Sequence, residues 1–362
     1  MFVLIAGLRY ETGVDWRAYQ YTFDNMPALD QAFYTKNLSE VFFSLDLGYA
    51  LLNSVIKMLG GGIQTLFFVV SLASTILLIK NLRYYTEYVL TGLLIYYSFF
   101  FFVFDLSGLR QGLAMQIFFY ALKYIGEKNF KKFILCLLIA TSIHWTAFLL
   151  LYLYFFIKNK ASVKLTLMIF TIALFVFTFQ IRWLGTILDN LLNQLNFAPL
   201  LAAKFLAYTT SEIFSVPRGW DLYSVFNFIR MALVIFLSNH FKTKLEVNIK
   251  QYAVFYNLVL IEVVLFFCFF EFTEISERLR FYFFLAEIVL ISNLVFCFKD
   301  YFFRYLTFGV TICILFLNSY PFLLNSVSTI AYHPYQNYWI YKALNLPSDG
   351  DDRLEEHKRT HE

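Results

Sequence analysis

A succession of long apolar runs, broken by short charged linkers, constrains this chain more than any other feature. Predominantly apolar stretches occupy residues 64–80, 88–104, 107–126, 133–157, 163–181, 222–241, 252–272, 280–298 and 302–320. A surface helix of a soluble domain is apolar on one face only, whereas a run apolar all round must be surrounded by protein or by lipid. A chain of 362 residues has too little interior to hide so many of them. Only 15% of residues are charged and mean hydropathy is +0.62, which excludes an ordinary soluble domain. The runs predict an all-α polytopic membrane protein with about 10–12 transmembrane helices. Net charge is +4 and no basic tract points to nucleic acid. The four cysteines, Cys136, Cys268, Cys297 and Cys313, are scattered through apolar runs and read as packing residues, with no zinc spacing.

Three stretches need separate treatment. Met1–Leu8 is too short to cross a bilayer, since crossing takes about 20 residues, and is read as the stub of a first span. Residues 46–59, stopped by Gly60, Gly61 and Gly62, make about 21 Å of helix and are read as re-entrant or interfacial. Residues 133–157 are either one long helix or a hairpin with its apex at Ser142–Trp145. The positive-inside rule favours the hairpin. It places the linkers 80–87, 123–132, 158–164, 242–250 and 299–304 together in the cytoplasm, with 14 Lys and Arg among them. The long loops 9–62, 182–221 and 321–346 then face outward, where active-site loops are expected. Loop 182–221 carries helical apolar periodicity at Ile187, Leu188, Leu191, Leu192 and Leu195, as a helix lying on a membrane does. Residues 1–346 are read as one integral-membrane domain and 347–362 as a polar, disordered tail, in which Asp349-Gly350-Asp351 is a chance metal-like pattern.

The cationic residues divide by type. The cytoplasmic linkers hold 12 Lys and 2 Arg. The outer inventory, tail excluded, has Arg9, Arg17, Arg110, Arg182, Arg218, Arg278 and Arg280 against Lys36, Lys57, Lys204 and Lys342. Arginine suits planar, bidentate capture of phosphate, although any one of these side chains could equally anchor at lipid headgroups. Arg110 lies in the turn Asp105–Gly112 between two apolar runs. Asp105 is its nearest local partner, and Gly108 and Gly112 would let an anionic headgroup approach the backbone. His144, Arg230 and Glu262 fall about 12–18 Å along their helices, at depths where ionisable groups face a cavity or each other. An Arg230–Glu262 ion pair and a packed His144 are the plain alternatives. Glu271–Arg280 pairs acids with two arginines at a span boundary and reads as closing the site, a solvated turn being the plain alternative, with Arg280 at the start of a span and its head at the membrane surface.

These motifs in their order resemble the EpsG family: Arg9, Gly13, Asp15 and Tyr19; then Asp46, Gly48 and Tyr49; then Leu109, Arg110, Gln111 and Ala114; then Ile143, His144 and Ala147; then Arg278 and Arg280; and finally Pro334 and Tyr335. EpsG proteins are similar to Wzy-type polysaccharide polymerases, and the likeness extends over residues 9–340. It implies a GT-C-like membrane glycosyltransferase at the outer face of a bacterial cytoplasmic membrane. The donor would be a polyprenyl-diphosphate-linked oligosaccharide and the acceptor a second lipid-linked unit, with membrane lipids and a chain-length regulator as further partners. Arg110, Gln111, Arg9, Arg278, Arg280, Arg230, Tyr19 and Tyr335 become candidates for binding diphosphate or sugar. His144, Asp15 and Glu274 become candidates for the base. A diphosphate leaving group can be stabilised by arginines without a metal, so no cofactor is expected. A ligase or single-sugar transferase using the same donor remains open, as does a flippase of the lipid-linked unit. A flippase would favour pseudo-symmetric halves, and the sequence contains no internal repeat.

Overall fold

The computed structural model describes residues 1–32, 46–185, 187, 217–323 and 330–359. Among them the backbone is helical, and an isolated bridge between Arg9 and Asn337 is the sole β-type pairing. In chain order the main helices are α1 (Phe2–Gly7), α2 (Trp16–Asn25), α3 (Leu47–Met58), α4 (Ile63–Tyr85), α5 (Val89–Tyr96), α6 (Leu109–Ala121) and α7 (Phe130–Ile143). They continue with α8 (Val163–Thr178), α9 (Leu222–His240), α10 (Tyr252–Cys268), α11 (Thr273–Leu294), α12 (Tyr301–Leu323) and α13 (Gly350–Arg359). Contacts divide the chain into two compact units, one of Met1–Leu151 with Phe298–Glu362 and one of Tyr152–Cys297.

The apolar runs become helices where the sequence places them, and local chemistry sets their ends. Asn129 accepts from the Lys132 amide at 3.1 Å to start α7, Ser162 accepts from Leu165 at 3.2 Å to start α8, and Asp221 accepts from Ser224 at 2.7 Å to start α9. Each is a short polar side chain meeting a helix amide that would otherwise be unpaired. Run 88–104 changes pitch midway: after Tyr96 the chain continues as a π-helix over Tyr97–Asp105. Run 133–157 is not one helix. α7 ends at Ile143, His144 is extended, and Trp145–Leu150 form a 3₁₀ turn ahead of a short helix at Leu153–Phe156.

Large aromatic side chains fill the first unit, with Tyr85, Tyr96, Phe100, Phe101, Phe118 and Phe119 buried. The second is built around Phe177, Met231, Val263, Phe266, Phe267 and Phe270. Outward-facing side chains are apolar too: Leu222 is 90% exposed, Phe302 68% and Phe236 66%. Surface of this kind is what lipid covers in a membrane protein. By length and composition alone, α4 and α9 are long and apolar enough to cross a membrane, and a third crossing results if Lys242–Asn248 and α10, bent by 116°, are one span. Among the described residues that is fewer than the 10–12 expected, because breaks such as those at Tyr97 and His144 divide the runs and because α11 carries charges within its length.

Two expectations about boundaries are corrected. Glu271–Arg280 is not a turn: α11 begins at Thr273 and continues through it. The tail is not wholly disordered, because Gly350–Arg359 is helical. Its Arg353 is buried, pairs with Asp349 at 2.9 Å, and donates to the Pro334 and Glu11 carbonyls at 3.1 and 3.2 Å. The periodicity over Leu188–Leu195 lies outside the described residues.

Candidate functional site

In the first unit the chemistry gathers at Asp46, the residue preceding α3. Its carboxylate accepts from the Trp145 backbone N–H at 3.2 Å, lies 3.5 Å from an Arg110 terminal nitrogen and is 3.6 Å from His144 Nδ1. The break at His144 is what aims the imidazole and the Trp145 amide at this carboxylate. Asp46 and His144 are buried, whereas the Arg110 side chain is 33% exposed. The Arg110 guanidinium also lies over the Tyr49 ring, 5.5 Å from its centroid. Asp46 is thus at the limit of hydrogen-bond distance from one terminal nitrogen, and part of a planar cation whose in-plane N–H groups suit an oxyanion stays exposed.

Asp105 is not the partner of Arg110. Its carboxylate accepts from the Tyr96 hydroxyl at 2.7 Å, and its backbone carbonyl accepts from Arg9 at 2.5 Å. Nor do Gly108 and Gly112 clear space for a headgroup. A Cβ on Gly112 would lie 2.9 Å from Phe104 Cβ, and one on Gly108 3.2 Å from the same ring, so both glycines admit Phe104. Gln111 is buried one residue along.

Arg9 is fully buried. It donates to the Ala6 carbonyl at 3.2 Å and stacks on Phe67 at 4.1 Å. Burial pulls its guanidinium down to about 10, so it remains charged at neutral pH. Its Nε and Nη2 find no hydrogen-bond partner among the described residues, and the ring face supports the charge instead. Tyr19 packs between Tyr49 and Phe67, with ring centroids 6.1 and 6.4 Å away. The Tyr335 hydroxyl donates to the Ile5 carbonyl at 2.8 Å. Burial pushes the Tyr19 hydroxyl upward and that of Tyr335 to about 12, so both act as donors rather than bases. Asp15 is exposed at the cap position of α2.

The remaining candidates belong to the second unit. Arg230 bridges two fully buried carboxylates, Glu262 at 3.0 Å and Glu287, and donates to Asn227 at 2.8 Å. The simple Arg230–Glu262 pair is thus one side of a triad. Arg280 is buried rather than at a membrane surface. It donates to Asn227 and to the Tyr223 hydroxyl, each at 2.7 Å, and pairs with Glu277 at 2.5 Å. Glu277 also meets Arg218 at 2.5 Å. Burial alone would raise the Glu277 carboxyl, but Arg280 and Arg218 hold it below its ordinary range. Three arginines and three glutamates so neutralise one another, the condition under which buried charge is tolerated. Arg278 and Glu274 form a pair at 2.6 Å along α11, each about one-third exposed.

Reading the sequence missed Asp46, Glu277 and Glu287 as partners. Glu287 carried a usable signal, being a carboxylate in an apolar run as Glu262 is. Asp46 carried only a motif, since its partners lie 64 and 99 residues further along the chain.

Lipid-facing apolar helices and internally neutralised charges define an integral-membrane protein that is helical among the described residues. A sequence model of the EpsG family matches residues 1–338, so the chain belongs to the EpsG family, a Wzy-like polymerase family. No curated protein and no solved structure matches it.

Proposed function

We propose that this protein polymerises glycan repeat units carried on a polyprenyl diphosphate, at the outer face of the bacterial cytoplasmic membrane. Family membership supports a polymerase-type glycosyltransferase. The observation that carries the detail is the Asp46 carboxylate holding a part-exposed Arg110 and an imidazole together. Arg230 and Arg280 are already matched by glutamates and Arg9 is buried, so they serve as positioning residues, while Arg110 is one-third exposed and can offer N–H donors to an anion.

In this reading Arg110 receives the donor diphosphate, with Gln111 and Tyr19 shaping its surroundings. A hydroxyl of the acceptor unit attacks the donor's anomeric carbon. The bond from that carbon to the diphosphate oxygen breaks, and its electron pair leaves on the diphosphate, where Arg110 stabilises the charge. The hydroxyl proton passes to His144, which Asp46 orients as a carboxylate orients a catalytic histidine elsewhere. Asp15, exposed at the start of α2, is the second candidate for this proton, and Glu274, held by Arg278, is the third.

The test is to supply purified protein with a synthetic polyprenyl-diphosphate repeat unit and to size the products. A ladder of lengthening glycans is expected. A single addition would reassign the protein as a ligase or single-sugar transferase. Unchanged substrate with folded protein would overturn the proposal.

A further inference from the structure

An apolar groove of about 450 Å³ opens in the first unit beside the Asp46 cluster. It is open along its length rather than enclosed. Its walls come from α3, α4, α6 and α7, and every lining side chain is hydrocarbon or, at Gly48, absent. Three lining residues fix where the groove begins. Gly48 follows Asp46 by two positions, Leu113 follows Arg110 by three, and Ile143 precedes His144 directly. The groove then follows the helices away from the polar cluster, through Val55 on α3, Ile117 on α6 and Ile139 on α7. From Gly48 to Val55 this is about 10 Å at 1.5 Å per residue. Gly48 brings two of the walls together, since a Cβ there would lie 2.3 Å from Ser142 Oγ on α7.

The two ends differ in chemistry. One end is a part-exposed cation, Arg110; the rest takes only hydrocarbon. We infer that this groove holds the first isoprene units of the polyprenyl chain whose diphosphate meets Arg110. The inference rests on the diphosphate role proposed for Arg110 and extends it to the lipid tail. Charge complementarity selects the occupant: a chain that begins at this cluster must belong to a molecule whose anionic group sits on Arg110. A phospholipid phosphodiester carries a single negative charge, so a diphosphate-headed lipid meets this cation more strongly.

Binding of undecaprenyl diphosphate and of methyl diphosphate, which has the same anionic head and no isoprene, to the purified full chain tests this directly, without needing turnover. Wild type should bind the long chain about tenfold or more tightly than the short ligand. Ala73→Trp, in the groove wall, and Ile139→Trp, at its 48% exposed rim, should abolish that preference while leaving methyl diphosphate binding within about twofold. Two substitutions are used because the inner one is the more intrusive. Ile76→Trp, on α4 but outside the lining, should change neither affinity. Equal affinity of wild type for both ligands overturns the inference, as does a preference that survives both substitutions in folded protein. Equal displacement of the long ligand by vesicles of anionic phospholipid would also overturn it. Failure of the polymerase reading looks different: the long diphosphate still binds with its preference, but no glycan lengthens.

Discussion

At the scale of single residues, Arg110 differs from the buried arginines in being one-third exposed. Arg230 and Arg280 are matched by glutamates in the second unit, and Arg9 is buried against Phe67 and backbone carbonyls. Arg110 shares Asp46 with His144 at hydrogen-bond limits of 3.5 and 3.6 Å, which leaves capacity for a stronger anion. Arg110→Ala should lower the rate of glycan lengthening by about 10²–10³, the usual result of removing one donor that meets developing charge. Arg110→Lys should recover little of it, because an ammonium keeps the charge but loses the planar fork. Polymer sizing against time measures both, and full recovery by lysine would refute the bidentate role. The importance of Arg110 was legible in the sequence, because a charge between two apolar runs demands a reason. Its partner was not. Asp105, five residues away, was the natural choice, but the π-helix over Tyr97–Asp105 turns that carboxylate toward Tyr96.

At the scale of elements, apolar runs reported helix positions well because lipid-facing and core-facing surfaces are both hydrocarbon. Helix ends were harder. The charged stretch before Arg280 looked like a loop, yet Glu277 finds Arg218 and Arg280 and the helix extends over it. Close helix approach was equally invisible: Gly48 reads as one small residue, but it is where α3 meets Ser142. Gly48→Ala should destabilise the fold by about 1–3 kcal/mol through overpacking. Adding Ser142→Gly should recover only part of that loss, because the Ser142 backbone oxygen also lies 2.9 Å from that Cβ and a glycine within α7 costs about 1 kcal/mol, as thermal unfolding in detergent can show. The Glu277 contacts also carry a pH signature. Their arginines depress the folded carboxyl, so its stabilisation is fully present above the ordinary glutamate value of about 4.3 and is lost as pH falls through the depressed folded value. Acidification should therefore lower the unfolding temperature of wild type more steeply than that of Glu277→Gln. Parallel curves for the two proteins would remove Glu277 from the ion network.

At the scale of the whole molecule, the division between lysine and arginine gains a spatial form within each unit. In the second, Lys160 donates to Asn239 at 2.7 Å, Asn257 donates to the Asn159 carbonyl at 2.7 Å, and Lys244 reaches the Cys297 carbonyl. The lysine-bearing linkers 158–164 and 242–250 therefore share an end with the close of α11. In the first, Lys80 and Lys123 lie over the same Tyr120 ring at 5.0 and 3.6 Å, whereas Arg110 and His144 meet at Asp46. Lysine-rich ends are the ones the positive-inside rule assigns to the cytoplasm. Residues 133–157 decide the orientation. If they cross once, Asn129 and Asn159 lie on opposite sides and the second unit's lysines face outward against the rule. If they enter and return, both report the cytoplasm. The extended His144, with its imidazole and the Trp145 amide both turned to Asp46, is the bend that a returning chain needs. Reporter insertions at Asn129 and Asn159 in the full chain, read separately, should both give a cytoplasmic signal. An inward signal at Asn129 with an outward one at Asn159 would make the segment a single crossing and invert the orientation of every helix after it.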